Sequence, residues 1–202
     1  DIDVPRPTLE YVLDSFRKLY KECKGDISQI SVISPTKVGN AGCNTINKLI
    51  QDYVLPEEKH RGVFIEINGV RIYKGDKVIN TKNNYEVQPN IFNGNMGEVI
   101  SVDIEENKLV IDFYNIGEVE ISGKDLQAIE LGYAITTHKS QGSTIPYVVS
   151  CIDYSHFVML NRQQVYTMIT RAKKKEIFIF ETRALNRAIK TNNVVNKRTF
   201  LY

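Results

Sequence analysis

The run Ile30-Ser-Val-Ile33, stopped at Ser34-Pro35 and followed across Thr36, Lys37, Val38 and Gly39 by the stretch from Asn40 to Tyr53, decides the fold. Its apolar start reads as a short buried strand, and Pro35 has no N–H to give to a ladder, so the strand stops at Ser34-Pro35. Beyond the loop, Ile46, Leu49, Ile50 and Tyr53 fall on one face of a helix predicted from about Asn40 to Tyr53. Strand, loop and helix in this order open a parallel α/β unit.

Upstream, Leu9, Val12, Leu13, Phe16, Leu19 and Tyr20 place one apolar stripe on a helix capped by Thr8 and closed near Gly25. Downstream the texture changes from about Gly62 to Lys124, where short strands alternate with tight turns. Val63 to Ile67, Asn68-Gly69 and Val70 to Ile72 form an expected hairpin, because Asn-Gly suits a turn with positive φ. Further strands are expected at Lys77–Ile79, Glu98–Val102, Leu109–Phe113 and Val119–Ile121, which together suit a small barrel of the SH3 kind. After Asp125 the α/β pattern returns with a buried strand at Val148–Ile152 and a helix from Asn161 to Arg171, Val165, Met168, Ile169 and Ala172 lying on one side. A strand at Glu176–Phe180, a short helix carrying Ala184, Leu185, Ala188 and Ile189, and a polar tail from Thr191 complete the chain. The simplest organisation is one α/β domain, residues 1–61 and 126–202, with a β-barrel inserted at 62–125.

Composition sets the outer bounds. A chain of 202 residues with 42% apolar and 25% charged content builds a core without metal or disulfide support. The net charge of +2 gives no global basic field, so any contact with nucleic acid must come from a local groove. Cys23, Cys43 and Cys151 are odd in number and far apart, which argues against a disulfide framework and for a reducing compartment. No metal site is expected, since the sequence has no CxxC pair or close His/Cys cluster. Apolar runs such as Ile177–Phe180 are too short to span a bilayer, so no membrane association and a cytoplasmic location are expected. The start at Asp1, without Met, reads as part of something longer.

Three segments hold groups that can do chemistry. Ala134-Ile-Thr-Thr-His-Lys-Ser-Gln-Gly-Ser-Thr144 gathers hydroxyls, a His, a Lys, an amide and a Gly into one loop, the set that grips phosphate oxygens. A capped polar turn is the bland alternative. In Val165-Tyr-Thr-Met-Ile-Thr-Arg-Ala172, helical spacing puts Tyr166 with Thr170 and Thr167 with Arg171, away from the apolar stripe. Arg171 there either reaches a nucleotide on a partner domain or only complements the helix dipole. Lys37, in the loop beyond the first strand, lies where α/β sheets gather ligands, or is a solvated turn lysine.

In order and spacing these segments resemble motifs IV, V and VI of superfamily 1 helicases, specifically the RecD-like group that translocates 5′ to 3′. The resemblance rests on Tyr133-Ala-Ile-Thr-Thr-His-Lys-Ser-Gln-Gly-Ser143 and Tyr166-Thr-Met-Ile-Thr-Arg-Ala-Lys173. The barrel stretch is similar to the SH3-like 2B insertion through Gly75-Asp-Lys-Val78, Lys82-Asn-Asn-Tyr85 and Phe92-Asn-Gly-Asn-Met-Gly97. The resemblance implies a RecA-like domain 2A, related to the P-loop NTPases, with Arg171 as arginine finger and Lys37 facing the same γ-phosphate. Many relatives have Arg at the position of Lys37, and Lys lacks its bidentate fork; many have Glu at the position of Thr144. Gln141, Gly142 and Thr167 would lie near ATP. Single-stranded DNA would be held by Pro35, Thr36, Asn83, Asn84, Thr136, His138, Ser140 and Tyr166. ATP and Mg²⁺ are the implied cofactors, and RecBC-type subunits are further implied partners. The sequence has no Gly-x-x-x-x-Gly-Lys-[Ser/Thr] loop and no acidic pair after an apolar strand. The groups that activate ATP would therefore come from a first RecA-like domain of the same polypeptide, and this stretch alone is expected to be inactive.

The rival reading is a non-catalytic module that binds nucleic acid or docks a protein. Salt dependence separates these: strand binding adds about 0.7 to the log–log slope per neutralised phosphate.

Overall fold

Every residue of β2 (Ile30–Ser34) is buried, which is the mark of a parallel strand covered on both faces. The structure, a computed structural model, describes residues 2–3, 9–56 and 63–191. In it β2 pairs on one side with β10 (Ala134–Thr136) and on the other with β11 (Ile145–Ile152). Next to β11 lies β12 (Ala172–Phe180), and β1 (Ile2–Asp3) closes the sheet in the order β1-β12-β11-β2-β10. All these pairs are parallel.

Alternate residues of these strands feed two cores. Ile30, Val32, Val149 and Cys151 face α1 (Leu9–Glu22) and α2 (Cys43–Val54), packing with Val12, Phe16, Leu19, Ile46 and Ile50. On the other face Ile33, Val148, Ile152 and Phe178 pack with Met168 of α3 (Arg162–Ile169) and Ala184 and Ala188 of α4 (Thr182–Lys190). Helices on both faces of a parallel sheet make this a RecA-like α/β layer structure, as the strand–loop–helix opening required.

A second, antiparallel sheet has the order β8-β7-β6-β5-β9. Its strands are β5 (Lys77–Asn80), β6 (Met96–Asp103), β7 (Lys108–Phe113), β8 (Gly117–Ser122) and β9 (Ile129–Leu131). The hairpin of β3 (Phe64–Ile67) and β4 (Val70–Tyr73) stands before it and turns at Asn68 (φ 53°) and Gly69 (φ 77°). Two successive positive φ values are what a two-residue I′ turn needs. These antiparallel strands suit an SH3-like region, and their apolar face, including Val78, Val99, Leu109, Ile111 and Phe113, joins the core beneath α1 and α2.

The two sheets are bolted together where β5 begins. Asp76 is fully buried and accepts from the Tyr133 hydroxyl at 2.8 Å, the Gln51 amide at 2.7 Å and the Tyr73 N–H at 2.7 Å. The neighbouring Lys77 is also fully buried, and its Nζ donates to Ile27 O (3.0 Å), Ile30 O (2.7 Å) and Ser31 Oγ (3.0 Å). Three acceptors satisfy the three donors of an ammonium group. Burial pushes the Lys77 pKa down to about 7 and the Asp76 pKa up to about 6, the latter against the hydrogen bonds it accepts.

The elements differ from the sequence expectation in four places. α2 starts at Cys43, not Asn40, because the loop folds back and spends Thr36 O and Lys37 O on the N–H groups of Cys43 and Asn44, both at 3.0 Å. Residues 134–136, read as loop, form β10, since their edge pairs with β2. β9 had no sequence signal; it follows a 3-10 turn at Gly123–Ala128 and pairs with β5. α3 ends at Ile169, leaving Thr170 and Arg171 past its last turn and Ala172 in β12. The expected Thr8 cap, Gly62 and the tail beyond Thr191 lie outside the described residues.

The junction is testable. Lys77→Met keeps the bulk but strands three buried acceptors, which costs about 2–4 kcal/mol in urea unfolding. Between pH 7 and 10.5 the unfolded chain holds the Lys77 proton more tightly than the folded one. The wild-type fold therefore gains stability as pH rises through that window. The gap to the variant should widen from pH 7 to pH 9.5; a constant or shrinking gap refutes this role for Lys77.

Candidate functional site

One side chain fixes where the functional loop begins. Asn47, buried on α2, accepts from Ala134 N at 2.6 Å and donates to Ala134 O at 3.1 Å and Leu131 O at 3.2 Å. An edge strand of three residues is thereby held in register by a helix side chain. From its end the loop 137–144 runs to β11, shaped by its own small residues. Ser140 N bonds Thr136 O (3.0 Å), Ser140 Oγ gives its proton to Thr137 O (2.7 Å), and Ser143 Oγ donates to Ser140 O (2.7 Å). Gly142 sits at φ 79° with open space about it, a left-handed turn that leaves the backbone bare.

α3 lies alongside this loop. Asn161 caps it by accepting from Gln164 N at 2.8 Å, and a capping box of Asp153 and His156 orders the 3-10 turn (Tyr154–His156) before it. His156 is thus a buried structural histidine, and burial lowers its pKa; His60 lies outside the described residues. Thr167 and Thr170 bond back to Gln163 O (2.9 Å) and Tyr166 O (2.8 Å), keeping their hydroxyls close to the helix.

Loop and helix enclose an open cleft of about 350 Å³, lined by Thr137, His138, Gln141, Gln164 and Thr167 among others. Thr137 Oγ1 and Gln164 Oε1 are buried there with no hydrogen-bond partner. The lining is polar but holds no carboxylate, Lys or Arg, so it offers hydroxyls and amides and no carboxylate ligands for Mg²⁺. At one end Arg171, half-buried, reaches back along the helix. Its Nε donates to Thr167 O (3.0 Å), Nη1 to Ser143 O (3.2 Å) and Nη2 to Thr170 Oγ1 (3.0 Å). The guanidinium is held by two carbonyls and a hydroxyl, and among the described residues no carboxylate is paired with it.

Of the residues expected at the site, the structure brings His138, Gln141 and Thr167 to one cleft, with Arg171 joined to it through Thr167. Gly142 lies in the same loop, and Tyr166, 64% exposed, stands on the helix beside it. Lys37 does not line this cleft. Its Nζ lies 2.7 Å from Glu130 Oε1, and Lys139 Nζ lies 3.2 Å from Oε2 of the same carboxylate. Burial would raise the Glu130 pKa, but the two ammonium groups outweigh it and hold the carboxyl below its usual value. Ser140, expected to touch a strand, is fully buried and is occupied in shaping the loop. Pro35 is buried too. Thr36 and Thr136 are half-buried at the adjacent strand ends, with Thr36 Oγ1 given to Val38 O. Asn83 and Asn84 brace their own turn, accepting from Asn93 N and Glu86 N (both 2.9 Å), and Asn84 also donates to Asp125 (2.8 Å). Sequence reasoning missed Asn47 and Glu130, whose partners are set by tertiary packing, and Thr137 and Gln164, whose place on the cleft is set by it.

A parallel α/β domain with a polar cleft between loop 137–144 and α3, carrying an SH3-like antiparallel region, is the class that fold and site define. Comparisons give the family. Residues 46–113 match the family described as ATP-dependent RecD-like DNA helicase SH3 domain, and residues 131–179 match the UvrD-like helicase C-terminal domain. The chain is 35% identical over 156 residues to the ATP-dependent RecD2 DNA helicase of Deinococcus radiodurans, covering 75% of this chain and 20% of that protein. It is 29% identical over 182 residues to the RecBCD enzyme subunit RecD of Buchnera aphidicola subsp. Schizaphis graminum, covering 84% and 28%. The crystal structure of Pif1 helicase from Bacteroides in complex with ADP-AlF3 and single-stranded DNA superimposes with a TM-score of 0.57 at 16% identity, covering 82% and 43%, a likeness of fold. This chain belongs to the RecD-like superfamily 1 DNA helicases and corresponds to part of their C-terminal region. It spans about a fifth to a third of the length of these two curated relatives.

Asn47→Ala should remove the side-chain partner of Ala134 N and Ala134 O in β10 and of Leu131 O at the end of β9, costing about 2–4 kcal/mol by urea unfolding. A change below about 0.5 kcal/mol would show that β10 is held by the sheet alone.

Proposed function

We propose that this chain is the second motor domain, 2A, of an ATP-dependent helicase that moves 5′ to 3′ on single-stranded DNA, with an SH3-like insertion drawn at 62–125. The observation that carries the reading is Arg171, whose guanidinium donates both to Thr167 O on α3 and to Ser143 O in loop 137–144 and so stands where helix and loop meet. A first RecA-like domain of the same polypeptide would bring the phosphate loop and the carboxylates for Mg²⁺. ATP bound between the two domains supplies a γ-phosphoryl group for transfer to water. The role of Arg171 is to exchange the Ser143 carbonyl for oxygens of that group as charge spreads over them. A bidentate donor suits this better than a point charge. Gln141 and Thr167 line the cleft together with Thr137 and Gln164, and Gly142 lies in the same loop. Thr36, Thr136, His138 and Tyr166 would hold the strand through backbone contacts, which carry no sequence preference.

Arg171→Ala in the full-length protein should lower ATP turnover by about 10³- to 10⁵-fold, and Arg171→Lys should recover little of it. Strand binding by fluorescence anisotropy should stay within about twofold, since the finger acts on the nucleotide. Turnover within tenfold of wild type would remove the finger assignment.

A further inference from the structure

Glu130 belongs to β9, in the antiparallel sheet, where it pairs across from Ile79. Its two carboxylate oxygens are divided between two loops of the other sheet: Lys37 from the loop after β2, and Lys139 from the loop after β10. The side chains are 30% exposed for Glu130, 52% for Lys37 and 28% for Lys139, so the cluster faces solvent. One carboxylate neutralises one of two ammonium groups, and a positive charge remains. A carboxylate spread between two lysines also has the form of a phosphate presenting two oxygens to the same donors. Partly exposed ion pairs of this kind are weak enough to be exchanged.

We infer that Glu130 is an internal occupant of the phosphate-facing pair Lys37 and Lys139, displaced when a phosphate enters. This rests on the helicase reading, which puts phosphates beside both loops, and it deepens that reading by giving the site a built-in competitor. The exchange also has a mechanical consequence. Glu130 is the ionic tie between the antiparallel sheet and the two loops, so phosphate binding releases that tie and frees the loops to move with the ligand. A backbone phosphate of single-stranded DNA and a phosphate of the nucleotide share the chemistry that the two lysines recognise, and only binding can tell them apart.

Full-length protein carrying Glu130→Gln, Lys37→Ala, Lys139→Ala, or Glu130→Gln on both alanine changes, is titrated with fluorescein-labelled oligothymidylate and, separately, with a fluorescent ATP analogue. Glu130→Gln should tighten one probe by about two- to fivefold, since it removes a competing ion pair. Each alanine variant should weaken that same probe, and Glu130→Gln should have no effect on the double-alanine background. Tightening of the oligonucleotide, with a steeper salt dependence, assigns the site to the DNA backbone; tightening of the ATP analogue assigns it to the nucleotide. If wild type binds both probes and Glu130→Gln leaves both unchanged or weakened, Glu130 is an anchor and the inference falls. If wild type binds neither, the helicase reading itself fails first. Thermal melting of each variant separates loss of fold from loss of site.

Discussion

The opening of β5 governs how the two sheets can move. Two successive residues, Asp76 and Lys77, face opposite ways from one strand end. Asp76 takes hydrogen bonds from α2 and from Tyr133 just before β10, while Lys77 gives all three of its protons to the segment that enters β2. Buried polar groups are worth keeping only when every donor and acceptor is satisfied. The antiparallel sheet is thus attached at the elements from which loops 35–42 and 137–144 spring. Rotation of that sheet about this point would break several buried hydrogen bonds at once, so the insertion and the loops form one unit near their base. Glu130, farther along and half-exposed, is a tie of the opposite kind, cheap to break.

Much of the fold was legible because its signals are local. Burial on both faces made Ile30–Ile33 continuously apolar, and Asn68-Gly69 gave its turn type outright, because few other residue pairs adopt two positive φ values. β9 was not legible. Three residues, one of them charged, carry no period that distinguishes a strand from a turn, and its pairing with β5 was decided by the chain's path. The start of α2 was misjudged for a related reason: its first N–H groups are satisfied by carbonyls of the preceding loop, which residue types do not reveal.

At the site, sequence gave the residue types and missed their directions. The hydroxyls of residues 136–144 look equivalent in one dimension, yet Ser140 points inward to hold the turn while Thr137 is buried at the cleft without a partner. A loop that must keep its shape spends some of its polar groups on itself. The resemblance implies that Lys37 faces the same γ-phosphate as Arg171, but it gives no sign of the contact Lys37 makes with Glu130, 93 positions away in sequence. Only tertiary structure brings an acid to that spot.

The two kinds of cation are held in ways that suit different tasks. Arg171 rests on Thr167 O, Ser143 O and Thr170 Oγ1, neutral acceptors that orient the guanidinium without cancelling its charge. Its position is prepared in advance, so that under the proposed finger role a developing negative charge would meet a preorganised donor with no ion pair to break first. Lys37 and Lys139 are held by a carboxylate, so any anion they bind must first displace Glu130. That makes their site selective for ligands that exceed a local carboxylate in charge or in number of contacts, as a phosphate chain does. Electrostatic grip in a chain of net charge +2 then depends on which lysines and arginines have an internal counter-ion and which do not.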